Sequence, residues 1–315
     1  MIEIFLIVLP VFLILGTGYV AARTGYLSDT FADGLNAFAI RLAVPILLFR
    51  ALYRLDLSQG MQVPMLLSFY TGAFTCFATG IVLARLFWKR SPGEAVAVGF
   101  TATFSNSLLL GIPIVERAFG EAALTPAFGI VALHAPVIYI VGIVTMELSR
   151  RDGRSLGETL ITALRSIVAN PLMFGILAGV TANLSGIEIP EPVMAPINML
   201  ANAALPVAII GIGATLTRYG LKADWTEALM VSALALFLHP AIVLVLTHFA
   251  LGLPAQYAAV AVIVASMPPG MNVYIFASLY NRAVALAAST LLIATALSVA
   301  TVSFWLWVVH ALLLV

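Results

Sequence analysis

The sequence predicts an all-α membrane protein with ten transmembrane helices in two inverted five-helix repeats, helices 4 and 9 being broken near mid-membrane. Three observations predict it. The chain is too apolar for a soluble domain, its apolar runs recur at bilayer length, and one sequence offset aligns the prolines and glycines of its two halves.

Hydrophobic residues make up 62% of the 315 positions and charged residues 9%, where a soluble domain carries roughly 25% charged residues. Mean hydropathy is +1.10. The longest polar stretch, Ser149–Glu158, is too short to fold alone. A formal net charge of +1 points to no nucleic-acid partner. Cys76 is the single cysteine and lies in an apolar run, which excludes disulfides and a Cys-rich metal site. Only Glu3 interrupts the start of the first run. With no basic segment before it, the run reads as a spanning helix and not a cleaved signal.

Apolar runs of ~20 residues, the length that crosses a bilayer, place helices near 2–22, 33–53, 62–87, 95–115, 123–148, 161–184, 193–216, 226–250, 256–278 and 284–313. Loop charge sets their direction. With the N-terminus outside, the inner loops and helix ends hold Arg23, Arg85, Lys89, Arg90, Arg150, Arg151, Arg154, Arg165, Arg218, Lys222 and Arg282. The outer ones hold Arg50, Arg54 and Arg117. This bias orients both termini outward, and the acidic loop with Glu188 and Glu191 then also falls outside.

An offset of 161 residues pairs Pro10 with Pro171, Gly18 with Gly179, Gly25 with Gly186, Pro45 with Pro206, Ser105 with Ser266 and Phe119 with Tyr280. The repeats are residues 1–160 and 161–315, each with five spans. An odd number of spans makes the second half enter the membrane from the opposite side. Inverted repeats of this kind underlie many alternating-access carriers.

Spans 4 and 9 are interrupted at corresponding places. The first break reads Ser105-Asn106-Ser107-Leu108-Leu109-Leu110-Gly111-Ile112-Pro113, the second Ser266-Met267-Pro268-Pro269-Gly270-Met271-Asn272. Proline removes a backbone donor and glycine permits non-helical dihedrals. Backbone freed this way cannot face lipid, so it must face protein or a polar cavity. Half-helices with N-terminal ends near mid-membrane form a ready anion site. Asn106, Ser105, Ser107, Ser266 and Asn272 add neutral polar groups, and neither break contains Asp or Glu. The pattern favours binding of an anionic solute. A kink in packed helices explains one such break; a repeat-related pair beside Asn and Ser argues for a site.

Arg41 is the most unusual ionisable residue, inside span 2 and four residues before Pro45. Two readings stay open. Its guanidinium selects a small anion, such as a dicarboxylate, or it snorkels to an interface or meets a backbone carbonyl. His134, His239 and His248 lie in apolar segments and read as buried neutral side chains, with proton coupling through His134 as the alternative. No metal-binding spacing occurs, and no cofactor is expected. Trp225, Trp305 and Trp307 near span ends read as interfacial anchors. A membrane enzyme would need facing acids or a nucleophile with a base. Asp29, Asp33, Asp56, Asp152 and Asp224 all lie in loops or at span ends, and no His stands near Ser105 or Ser266 in sequence. A carrier therefore ranks above a channel or an enzyme. Within carriers, uniport and proton- or sodium-coupled symport stay open.

The broken segments resemble the auxin efflux carrier family, which includes plant PIN proteins and smaller bacterial members. Asn106-Ser107-Leu108-Leu109-Leu110-Gly111-Ile112-Pro113 matches its N-x-L-x-x-G-I-P pattern. Pro268-Pro269-Gly270 with Phe276-Ala277 and Tyr280-Asn281 is similar to its second-break pattern. Asn36-Ala37-Phe38, Ala43-Val44-Pro45, Asn170-Pro171 and Tyr139 with Glu147 fit further elements of the family. The resemblance covers nearly the whole chain. It implies a fold in which spans 4 and 9 cross, a scaffold of spans 1, 2, 6 and 7 that also forms a homodimer, and a moving transport domain of spans 3–5 and 8–10. It implies that Asn106 contacts a substrate carboxylate beside the crossing prolines and that Asn170 and Leu108 face the substrate. His134 stands where plant members have Gln. Pro113, Pro268 and Pro269 are expected to hold the crossing open, with Gly111 and Gly270 permitting close approach. The expected protein is an inner-membrane carrier of a small organic anion, a mono- or dicarboxylate, embedded in the lipid bilayer.

Overall fold

The computed structural model describes residues 2–56, 61–150, 161, 171–220 and 225–313, and every regular element among them is helical. We number the helices α1 (Ile2–Arg23), α2 (Asp29–Tyr53), α3 (Val63–Phe87), α4 (Pro92–Thr103), α5 (Ile112–Phe119), α6 (Leu124–Arg150), α7 (Pro171–Ser185), α8 (Glu191–Leu216), α9 (Trp225–Ala250), α10 (Ala255–Ala265), α11 (Asn272–Tyr280) and α12 (Val284–Leu313). Seven of the described helices are long and apolar enough to cross a membrane: α1, α2, α3, α6, α8, α9 and α12. Expected span 4 is the pair α4 and α5, and expected span 9 is α10 and α11. The first ten residues of expected span 6 lie, apart from Ile161, outside the described residues.

Helix α2 starts at Asp29, four residues before its expected start. The Ser28 hydroxyl accepts the Phe31 N–H at 3.2 Å and caps the helix, and Asp29 in the first turn suits the positive helix end. Hydropathy alone missed this polar first turn. Within α2, residues Ala39–Ala43 widen into a π turn two residues before Pro45. The same arrangement recurs at Ser107–Gly111 before Pro113 and at Leu234–Leu238 before Pro240. Proline cannot donate to the carbonyl four residues back and its ring collides with it, so the preceding turn opens. Where Pro240 leaves the Leu236 carbonyl unpaired, Trp305 Nε1–H donates to it at 2.7 Å. Trp305 is therefore buried in the interior and is not the interfacial anchor its place near a span end suggested. Trp225 and Trp307 are exposed.

Two groups of helices result. In the first, α1 packs along α8 and α2 packs on α7 and α8. Glycines permit these approaches. A Cβ at Gly18 would overlap the Ile210 carbonyl, and one at Gly179 would press on the Phe49 carbonyl. Both members of these two contacts are related by the same 161-residue offset. Asn183 donates to the Leu52, Tyr53 and Leu55 carbonyls at the end of α2, satisfying groups the helix cannot. Asn36 ties α2 to the Gly211 carbonyl and Thr215 hydroxyl of α8. Arg218 closes the other end on Asp29 and Asp33.

In the second group, α3 packs on α4 and α9, α4 on α6, and α9 and α10 on α12. Its principal charged tie is Arg90, whose guanidinium meets fully buried Glu227 at 2.6 Å and Glu94 at 3.3 Å. Hydrogen bonding to Glu227, then the nearby carboxylate charges, outweighs partial burial and holds the Arg90 pKa above its ordinary value. The two groups touch where α1 meets α5 and α12 and where α8 meets Ser107–Gly111. Arg117 of α5 donates to the Ile7 carbonyl of α1 at 2.9 Å, and the Ser289 hydroxyl of α12 donates to the Gly220 carbonyl at 3.0 Å.

Gly18→Ala is expected to cost ~1–3 kcal/mol by overpacking against backbone, lowering the thermal unfolding midpoint in detergent. Gly16→Ala, with nothing within 4 Å of the added carbon, is the matched control and should not destabilise.

Candidate functional site

The two breaks meet and complete each other's hydrogen bonding. Ser105 and Pro269 form an antiparallel bridge. Asn106 N–H donates to the Pro268 carbonyl at 2.7 Å, and Gly270 N–H donates to the Phe104 carbonyl at 3.0 Å. Pro268 and Pro269 bring no donors of their own, so neither leaves an orphan N–H here. Each interruption is the partner that lets the other exist in a dry interior.

Beside this crossing lies a cavity of about 370 Å³, within the range of small-molecule sites. Its wall is mostly apolar. Among the described residues its polar side chains are Asn36, Ser105, Asn106, Ser107, His134, Tyr139 and Asn272, and no described Asp, Glu, Lys or Arg lines it. Two helix beginnings face it. Ser107, Leu108 and Leu109 start the helical stretch that continues into α5, and their N–H groups precede the first intrahelical bonds, which Leu110 and Gly111 make to the Asn106 carbonyl. Gly270, Met271 and Asn272 lead into α11 in the same way, with Gly270 and Met271 carbonyls accepting its first bonds. The electrostatics are those of neutral donors and positive dipole ends.

The side chains divide into roles. Ser105 and Ser107 hydroxyls lie 2.7 Å apart. The Asn106 side chain is half-buried on the wall and no described residue hydrogen-bonds its amide. Tyr139 donates to Asn272 Oδ1 at 3.3 Å and packs among Phe100, Phe104 and Phe276. His134 Nε2 lies 3.5 Å from Ser105 Oγ.

Of the residues singled out in the sequence, Asn106, Ser105, Ser107, Leu108, Gly270, Asn272 and His134 share this wall. Gly111, Pro113, Pro268 and Pro269 shape the crossing without lining the cavity. Ser266 is buried and returns its hydroxyl to the Ile263 carbonyl at 2.8 Å, away from the wall. Arg41 is exposed and off the wall, because α2 turns Asn36, Ile40 and Val44 toward the cavity and Arg41 to the other side. Its repeat mate Asn202 accepts from Arg50 at 2.7 Å. Asn170 lies outside the described residues. The close approach expected at the break glycines is looser than their pattern suggests. A Cβ at Gly270 would meet Asn106 at 3.5 Å and one at Gly111 would meet Met267 at 3.4 Å, ordinary contacts.

Sequence reasoning missed Tyr139 and Asn36 as wall residues, though Val131, Ala135 and Tyr139 recur at helical spacing and carried that signal. It also missed that His134 reaches Ser105 from 29 positions away.

Residues 3–306 match the family described as membrane transport protein. The chain is 29% identical over 315 residues to a Rhizobium meliloti protein named "Putative malonate transporter", covering 99% of this chain and 97% of that one. It is 24% identical to the uncharacterized transporter YfdV of Escherichia coli K12, over 95% of this chain and 96% of that protein. It is 22% identical to auxin efflux carrier component 8 of Arabidopsis thaliana, over 86% and 88% of the respective chains.

Gly270→Ala is expected to fold with a stability change under about 1 kcal/mol, whereas Gly142→Ala, whose added carbon would strike the Phe100 ring, should unfold at a visibly lower temperature. Thermal melts of the two purified variants check this.

Proposed function

We propose, on the premise that this chain belongs to the membrane transport protein family, that it carries a small organic anion across the inner membrane by alternating access. It is a transporter and not an enzyme. The mono- or dicarboxylate binds at the crossing, with Asn106 as its principal side-chain ligand. The carrying observation is the cavity itself: two helix beginnings and a set of neutral polar side chains converge on it, with no carboxylate among the described wall residues to repel an anion. Malonate is the first substrate to test, because a relative aligned over nearly the full chain bears its name.

The finer architecture belongs to the same proposal. Residues 1–160 and 161–315 form inverted five-helix repeats, giving ten spans, with both termini outside. The offset-related glycine contacts support the repeat, and the loop charges support the orientation. Helices α1, α2, α7 and α8 act as scaffold and as the homodimer surface that the family resemblance implies; α3–α6 and α9–α12 act as the moving transport domain. With this orientation the cavity wall runs from the crossing toward the inner ends of α2, α8 and α11, at Asn36, Ile212 and Leu279. The Arg117 contact with α1 lies on the outer side. This arrangement fits an inward-facing state.

The test is saturable uptake of malonate, succinate and indole-3-acetate into proteoliposomes. Asn106→Ala removes a hydrogen bond to a charged group, worth about 1.5–3 kcal/mol, so its apparent KM should rise roughly 10- to 100-fold with an unchanged melting profile. Wild-type KM in a well-folded Asn106→Ala protein would remove Asn106 from the site.

A further inference from the structure

We propose that this protein moves a proton together with its anion, and that His134 carries the proton. The inference rests on the carrier reading above.

His134 is 4% exposed, with its side chain on the cavity wall. Phe69 and Phe104 meet its ring edge-on, at centroid distances of 5.6 and 4.9 Å. Nδ1 is buried and has no hydrogen-bond partner among the described residues. A histidine kept only for packing has its ring nitrogens satisfied; this one leaves a nitrogen bare while the other faces a hydroxyl chain. From Nε2 that chain runs to Ser105 Oγ at 3.5 Å and then to Ser107 Oγ at 2.7 Å. Ser107 opens the helix whose free N–H groups face the cavity.

The chain has two polarities. With neutral imidazole protonated at Nδ1, Nε2 accepts from Ser105, Ser105 accepts from Ser107, and both hydroxyl protons point away from the cavity. A proton added at Nε2 reverses the order. Nε2–H then donates to Ser105, Ser105 donates to Ser107, and Ser107 is free to donate to an anion. Nothing else breaks or forms: one proton enters from the water on one side and leaves to the water on the other.

The surroundings make the two bindings depend on each other. The titratable groups around the imidazole are Tyr70, whose hydroxyl meets the Ile130 carbonyl, His239, across the Phe69 ring and bonded to the Phe69 carbonyl, and Tyr139, bonded to Asn272. None of the described wall residues is a fixed cation or a carboxylate. An anion alone there is uncompensated, and so is an imidazolium alone. Bound together they neutralise each other through two hydroxyls, so each raises the affinity for the other.

The experiment loads proteoliposomes with a pH dye and follows radiolabelled malonate uptake, with the outside at about pH 6 against about pH 7.5 inside, or at equal pH. Succinate and indole-3-acetate run in parallel. Wild type should take up malonate several-fold faster with acid outside, and the lumen should acidify in step with uptake. His134→Gln should lose that acceleration ratio whatever its residual rate. Ser105→Ala keeps the imidazole but cuts the chain, and should lose it too; it serves if the first variant does not fold. Saturable wild-type uptake that ignores the pH gradient and moves no proton overturns coupling and leaves the carrier reading intact. Acceleration retained in folded His134→Gln or Ser105→Ala overturns the assignment to this chain. No saturable uptake of any of the three acids overturns both.

Discussion

The structure depends on one constraint: a backbone group in a dry interior must find a partner within the protein. Two helices stop short in this fold, and each stop is tolerated because the other stands opposite it. The bonds from Asn106 to Pro268 and from Gly270 to Phe104 complete the pairing. Once the helices stop, new helix beginnings appear in mid-protein, and their first residues line a cavity. The cavity beside the crossing is thus a consequence of how the breaks are satisfied.

The same constraint works on a smaller scale throughout the chain. Prolines open π turns ahead of them, and side chains collect what the backbone loses. Trp305 takes the Leu236 carbonyl and Asn183 takes the carbonyls ending α2. Where helices must come closer than a side chain allows, glycine stands, as at Gly18 and Gly179. The ion pairs among the described residues sit inside one helix group or the other, Arg218 in the first and Arg90 in the second. Between the groups, Arg117 donates to the Ile7 carbonyl and the Ser289 hydroxyl donates to the Gly220 carbonyl just past α8. Ion pairs thus tie each group internally, while hydrogen bonds and ring packing join the two.

The described residues of the cavity wall carry no fixed charge, and its chemistry follows from that. A wall with a permanent arginine would hold an anion tightly through the whole cycle, and a wall with a carboxylate would reject it. Helix dipoles and neutral donors give an intermediate attraction, which under the proposed carrier reading suits a site that must also release its cargo. The exposed position of Arg41 is consistent with this division, since the sequence's most conspicuous intramembrane charge is kept off the wall. What an uncharged site lacks in discrimination, a proton on His134 would add.

The sequence by itself determined the class, the breaks and the approximate place of the described helices. These rest on local properties: apolar length, the dihedral limits of proline and glycine, and a polar residue wherever the ladder stops. Asn106 and Ser107 were legible for that reason, because they interrupt an apolar run. Tertiary structure alone decided facing. It turned Ser266 onto its own helix, Arg41 to the outside and Trp305 inward, although each looked from its neighbours like a residue with another task. It also brought His134 to Ser105 and Tyr139 to Asn272. The physical reason is that an apolar helix is hydrophobic all round, so its sequence carries little record of which side meets protein, lipid or cavity. That is settled only when neighbouring helices supply the partners.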